Sequence, residues 1–343
     1  MATPAAPARV EPAARGPVSR SRRDFLAGAR PTPTGQGGGF WLRAHRRAMA
    51  CRFEITIASE DAAWLPAVRD ALDGVDRFED ELSVFRETSA ISRVNRGANT
   101  GPVAIDDDLM ALLRQCDELR RETGGAFDIT STPLSRCWGF LLRQGRLPSL
   151  EEIDDARRTV GGDAVVLDAA DGSVRFARPG VELNLGAIGK GHALDRVAGD
   201  MRRGGVRRAL LSAGRSSLLA IGRAWNIEIV SPRRDRPLAS VRLSDAALGT
   251  SGAGQQFVVV DDVRYGHVID PRTGWPASGI ESVSVIAPSA AVADALSTAF
   301  FIGGPELADR YCSSHPGVMA LITAEGADSP VVFGRCRGCS HSS

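Results

Sequence analysis

No stretch of this 343-residue sequence approaches the run of about 20 apolar residues that spans a bilayer, so no integral membrane segment is expected. Charge of one sign is missing as well: 42 basic side chains stand against 41 acidic ones, for a net charge of +1. Such balance leaves no electrostatic footprint for nucleic acid or an anionic membrane surface. Cysteine is sparse, and positions 51, 116, 137 and 312 show no framework spacing; they read as buried free thiols. Cys336 and Cys339 form a CRGC motif near His341, but one CxxC without a second half is a weak zinc signal. That Ser- and Gly-containing end, 336–343, reads as a flexible tail. There is no P-loop, no GxGxxG dinucleotide fingerprint and no internal repeat.

Export signals are equally incomplete. SRRDFLAG (21–28) looks like a twin-arginine box, yet ARPTPTGQGGG follows where an apolar h-region is required. A cytoplasmic protein is therefore expected, with export as the alternative. Residues 1–39, rich in Ala, Pro, Arg and Gly, read as a disordered arm.

What is present is a composition 43% hydrophobic and 24% charged, ample for a sizeable core over 40–335. CRFEITIA (51–58) alternates like a half-buried strand. Residues 61–82 follow a helical period, as do 106–123, which end at Gly124-Gly125. AVVLDAADGSVRFA (164–177) reads as a hairpin with Asp-Gly at its turn. GHALDRVAGDMRRGG (191–205) reads as a helix. RALLSAG (208–214), AWNIEIVSP (224–232) and SVSVIAP (282–288) read as strands. Frequent hairpins favour a mixed α+β architecture over a doubly wound parallel sheet.

Four stretches carry more glycine and polar residues than packing requires. In TGGAFDIT (123–130) two glycines release a helix into an extended run. In LNLGAIGKGHALD (183–195) three glycines surround Lys190 just before a helix, which suits a phosphate as well as an ordinary turn. LGTSGAGQQF (248–257) is small and polar throughout. In YGHVIDPRTGWP (265–276) His267 and Asp270 lie three apart, ahead of a rigid Pro-Gly-Pro turn. A fifth stretch, VADALSTAFFIGG (292–304), is an apolar helix ending at two glycines, with Asp294, Ser297 and Thr298 inside it. Asp294 and Thr298 share one face, and a buried carboxylate needs a partner.

These motifs, in this order, resemble those of the ApbE family, the FAD:protein FMN transferases; MACRFEI and ELSVFRETSAISRVN match that family's N-terminal blocks. The resemblance runs from about Met49 to Gly304. It implies an α+β fold of largely antiparallel sheets flanked by helices, with the active site in a cleft between two subdomains. It further implies Mg²⁺-dependent cleavage of the FAD pyrophosphate, transfer of FMN to a threonine of an acceptor protein such as a redox-complex subunit, and release of AMP.

By matching position, the resemblance places the metal at Asp294, Thr298, neighbouring Ser297 and the backbone carbonyl of Ala187, an all-oxygen set that suits Mg²⁺. Met49, Phe85, Ala126, Phe127 and Asp128 fall at flavin-binding positions, and Asn184, Lys190 and Val268 at further FAD contacts. His267 assists the acceptor hydroxyl as general base or orienting group. Asp270 either holds the imidazole or forms the turn. Two positions depart from the family: Asn184 stands where Asp is usual, and SAGRSS (212–217) places Arg215 where glycine is common. Arg215 either folds onto a phosphate or blocks the pocket. The alternatives are a pyrophosphatase giving FMN and AMP, and a non-catalytic FAD carrier.

Overall fold

The computed structural model describes residues 28–32, 40–230, 237–254, 256–336 and 341–342. The twin-arginine-like run at 21–27 lies outside the described residues. Strand β1 (Gly28–Thr32) precedes a hairpin of β2 (Trp41–Ala48) and β3 (Cys51–Ala58). The turn residues Met49 and Ala50 both have positive φ, 50° and 56°, the handedness a two-residue hairpin turn between twisted strands requires. After a 3₁₀ turn (Ser59–Trp64) come α1 (Leu65–Asp73) and α2 (Val75–Leu82). The single helix expected over 61–82 is thus divided. Pro66 starts α1, and Gly74, a poor helix former, separates it from α2.

Helix α3 (Ala90–Gly97) is capped by the Ser89 hydroxyl, which accepts from the Ser92 N–H at 3.0 Å. Strand β4 (Val103–Ala104) leads to α4 (Asp107–Glu122), capped by Asp106. Past α4, Gly124 and Gly125 take φ of 60° and 78°. The extended run expected over 126–130 is instead a set of bends and turns, because Asp128 Oδ1 captures the Thr130 N–H at 2.8 Å and curls the chain. Helices α5 (Thr132–Cys137) and α6 (Leu150–Arg158) follow, α6 opened by a Ser149–Glu152 capping box. Strands β5 (Val165–Asp168) and β6 (Ser173–Phe176) form the expected hairpin, and β6 also pairs with β4.

The remainder supplies six strands of the main sheet. Helix α7 (Gly189–Arg203) precedes β7 (Ala209–Ala213), β8 (Ser217–Ile221), β9 (Trp225–Val230), β10 (Pro237–Leu243) and β11 (Ala247–Gly252). A small hairpin, β12 (Phe257–Val260) and β13 (Val263–Gly266), is followed by β14 (Ile280–Ala287) and α8 (Ala290–Ser314). Strands β15 (Met319–Ala324), β16 (Val331–Gly334) and β17 (His341–Ser342) complete the chain. The expected stop at Gly303-Gly304 is a break rather than an end. Gly304 leaves helical geometry at φ 72°, ψ −169°, and Pro305 starts a second helical run.

Eight strands form one sheet, in the order β16-β15-β14-β11-β8-β7-β3-β2, with antiparallel pairing throughout. Alternation sends Leu211, Leu219 and Val285 to one face and Leu210, Leu218 and Ile286 to the other. The first face packs under α7 and α8, with Leu296 and Phe300 at its centre; the second packs against Trp225, Ile227 and Val241 of the β9–β10 pair. A third cluster joins α5 and α6 to β12 through Trp138, Ile153 and Val258. The class is mixed α+β with largely antiparallel sheets, as expected.

Two short strands fall within the segments whose composition predicts an unstructured arm and tail. β1 pairs with β9, and β17 pairs with β10, each using an edge the β9–β10 pair leaves open. Cys51, Cys116, Cys137 and Cys312 are free, whereas Cys336 is disulfide-bonded; Cys339 lies outside the described residues. Among the described residues no helix is long and apolar enough to cross a membrane.

Candidate active site

A pocket of about 710 Å³ receives residues from both parts of the fold: the α7–α8 side of the large sheet and the turns around α4 and α5. Such a volume suits a small-molecule site. Every residue singled out from the sequence lines it except Asp270.

Asp294, only 4% exposed, sits in the first turns of α8. Its Oδ1 accepts from the Ser217 hydroxyl at 2.7 Å, and its Oδ2 from the backbone N–H of Gly191 at 2.7 Å. Lys190 Nζ, on the chain's only lysine, stands 3.8 Å from Oδ2. Burial pushes the Asp294 carboxyl up from its ordinary range; Lys190, the Ser217 hydroxyl and the Gly191 N–H oppose that rise. Beside it, the Ser297 hydroxyl donates to the Asp294 carbonyl at 2.8 Å and lies 2.8 Å from Ser251 Oγ, which is also 3.2 Å from Thr298 Oγ1. Among the described residues no three His, Cys, Asp or Glu side chains gather closely enough to hold a metal. A cation here would rely on one carboxylate plus hydroxyl and carbonyl oxygens. Asp294, Ser297, Thr298 and Ala187 all line the pocket, and a set of carboxylate, hydroxyl and carbonyl oxygens fits a hard ion such as Mg²⁺.

Two glycines explain how α8 comes this close. A Cβ on Gly191 would lie 2.0 Å from the Ala290 carbonyl oxygen, and one on Gly249 would lie 2.5 Å from that of Ala293. The glycines of two separate motifs therefore admit the N-terminal turns of one helix. Gly189 is different: its missing side chain leaves room for Met49, whose Cε would stand 3.1 Å from an added Cβ.

His267 follows β13. Its backbone N–H and its Nδ1 both address the Gln256 carbonyl, at 3.1 and 3.2 Å. A carbonyl only accepts, so Nδ1 carries the proton and Nε2 keeps its lone pair. Burial lowers the imidazole pKa; the Gln256 contact raises it, and Lys190 lowers it further. A neutral imidazole whose Nε2 keeps its lone pair is a competent base. Asp270 does not hold it. Its carboxylate binds Arg272 through Nε and Nη2, both at 2.8 Å, and accepts the Arg272 N–H at 2.9 Å. Its backbone bonds close the loop onto Gly274 and Trp275. Of the two roles left open by the sequence, holding the imidazole or forming the turn, the turn is the one the geometry supports.

The remaining positions divide by exposure. Phe127 is 2% exposed and Ala126 fully buried, whereas Phe85 stands 71% exposed at the pocket rim. Met49, Val268 and Ala187 are half-buried apolar contacts. Asp128 lines the pocket, but its carboxylate is occupied: Oδ1 accepts from Thr130 N–H and Oγ1, and Oδ2 from Gly162 N–H at 3.0 Å. Asn184 Oδ1 accepts from Gly186 N–H at 2.8 Å, shaping the loop before α7.

Sequence reasoning missed Ser217 as the partner of Asp294, Ser251 as the hub of the hydroxyl group, and Cys51 and Arg143 as pocket-lining residues. SAGRSS drew notice only for Arg215, and nothing in a strand pattern marks Ser217 as facing a helix 77 residues further on.

The sequence model of the ApbE family matches residues 49–322. The chain belongs to the ApbE family. Among its relatives, the FAD:protein FMN transferase of Treponema pallidum is 30% identical over 312 residues, 83% of this chain and 86% of the relative. That of Escherichia coli K12 is 29% identical over 280 residues, 78% and 79% of the two chains. The crystal structure of the ApbE protein from Thermotoga maritima superposes with a TM-score of 0.76 at 30% identity, covering 86% of this chain and 97% of that one. The flavin transferase ApbE from Vibrio cholerae has the same fold, with a TM-score of 0.73 at 24% identity. Membership of this family makes the chain an enzyme of the flavin transferase type.

Proposed function

We propose that this ApbE-family enzyme transfers the FMN moiety of FAD to a threonine hydroxyl of an acceptor protein, with Mg²⁺ required and AMP released. The observation that carries the reading is the convergence of Asp294, Ser297, Thr298, Lys190 and His267 on one pocket. The family relationship supports flavin as the cargo. Asp294, Thr298, Ser297 and the Ala187 carbonyl would hold the metal, which when bound neutralises phosphate charge as a Lewis acid.

His267 Nε2 accepts the proton of the threonine hydroxyl. The threonine oxygen then bonds to the phosphorus of the FMN half, and the bond from that phosphorus to the bridging oxygen breaks. The bridging oxygen leaves on AMP. Lys190 places a cation beside the developing charge. Phe127, Met49 and Val268 offer apolar surface to the isoalloxazine, and the half-buried pocket holds the reactants in line. The acceptor is a redox-complex subunit or another flavin carrier that presents a threonine.

The test incubates the protein with FAD and Mg²⁺, with and without an acceptor domain, and follows AMP. AMP that appears only with the acceptor supports transfer. AMP and free FMN without acceptor would make the enzyme a pyrophosphatase, and bound FAD with no AMP would make it a carrier.

A further inference from the structure

The hairpin turn between β7 and β8 presents Arg215 to the pocket wall. The turn is pinned on both sides: Gly214 N–H donates to the Arg52 carbonyl at 2.8 Å, and the Ser216 carbonyl accepts from Thr250 N–H at 2.7 Å. Gly214 takes φ 64°, a left-handed turn geometry that glycine adopts without strain. Arg215 is half-buried, yet among the described residues its guanidinium has neither an ion pair nor a hydrogen bond. The two carboxylates that line the same pocket are already committed. Asp128 is held by Thr130 and Gly162, and Asp294 by Ser217, Gly191 and Lys190.

A half-buried guanidinium with no protein partner keeps its N–H donors available to an anion entering the pocket. The guanidinium fork matches the paired oxygens of a phosphate. Arg215 also lies two residues from Ser217, whose hydroxyl holds Asp294, and Arg215 and Asp294 line the same pocket. We infer that Arg215 is a phosphate-contacting residue for the diphosphate of the bound dinucleotide, making phosphate rather than flavin the feature it selects. The inference rests on the flavin-transferase reading above.

The test measures equilibrium binding to the full chain in Mg²⁺-containing buffer, using FAD and riboflavin by flavin fluorescence and ADP by calorimetry. Arg215→Ala should weaken FAD and ADP about ten-fold or more, the scale of one charge-assisted hydrogen bond. Riboflavin affinity should stay unchanged, Arg215→Lys should recover part of the loss, and added salt should shrink it. FAD affinity that stays the same or tightens in Arg215→Ala would overturn the inference, since the side chain would then only obstruct the pocket. Equal losses for FAD and riboflavin would also overturn it, because Arg215 would be shaping the flavin wall. Failure of the flavin reading itself looks different: the wild-type protein would then not bind FAD at all.

Discussion

The backbone N–H of Gly191 donates to Oδ2 of Asp294 at 2.7 Å, joining the glycine-lysine loop to a helix more than a hundred residues further along the chain. The contact exists because neither Gly191 nor Gly249 carries a side chain where α8 passes. Two helices and a strand thereby converge on one buried carboxylate, and the pocket is built around that convergence.

Gly191→Ala and Gly249→Ala should both destabilise the fold, because the added methyl meets backbone atoms of α8 that cannot rotate away. Overpacking of this kind costs about 1–3 kcal/mol or more. Gly101→Ala is the control, since a Cβ there meets nothing within 4 Å. Denaturant midpoints should fall for the first two and stay within about 0.5 kcal/mol of wild type for the third. Unchanged midpoints for Gly191→Ala would mean that α8 does not approach so closely.

Ser217→Ala removes the donor to Oδ1 of a carboxylate that is 4% exposed. Leaving a buried acceptor unmatched costs about 1–3 kcal/mol. Stability should drop by that order, and Mg²⁺-dependent transfer should weaken, because the carboxylate loses one of the bonds that fix its orientation. A variant as stable and as active as wild type would show that Ser217 does not hold Asp294.

The His267 imidazole titrates below its ordinary 6.5 because burial disfavours the cation. Between 6.5 and the lowered value the unfolded chain binds more protons than the folded one, so His267 contributes stability above 6.5 that is lost as pH falls through the folded pKa. Compared with His267→Gln, wild type should therefore lose stability on acidification below 6.5. Transfer activity should persist somewhat below 6.5 before failing. An activity loss centred above 6.5 would contradict a neutral, crowded imidazole.

Burial pushes the Cys51 thiol up to about 11, and although Lys190 opposes the rise, Asp294 adds to it. Cys51 lines the pocket but should react sluggishly with iodoacetamide near neutral pH, since the thiolate is the nucleophile. Its alkylation rate, followed by peptide mass mapping, should climb toward a midpoint near 11, and FAD should slow it. Rapid labelling at neutral pH would show an exposed or activated thiol instead.

Much of this was legible in the sequence because the signals were local. Alternation defined β3 over Cys51–Ala58, and Asp-Gly marked the turn between β5 and β6. Asp294, Ser297 and Thr298 share a helix turn, so their spacing alone placed them together. What stayed hidden depended on partners remote in sequence. The Met49-Ala50 turn lacks the Asn-Gly or Asp-Gly signature of its type, and its conformation follows from the pairing of β2 with β3. Asp128 bends its own segment into a turn where an extended run was expected. Asp270 sat three residues from His267 in sequence, yet Arg272 two residues on was the nearer and stronger partner. The glycines around Lys190 suggested a phosphate cradle, but Gly191 makes room for a helix that no local pattern announces.

The most direct test of the account is the intact mass of an acceptor domain after incubation with FAD and Mg²⁺. Four reactions are compared: wild-type enzyme, Asp294→Ala enzyme, wild type with chelator, and wild type with an acceptor whose target threonine is alanine. An FMN-sized mass increase is expected with wild type alone and none in the other three. The same increase with Asp294→Ala enzyme, or after chelation, would contradict the role given to the buried carboxylate and the metal it would hold.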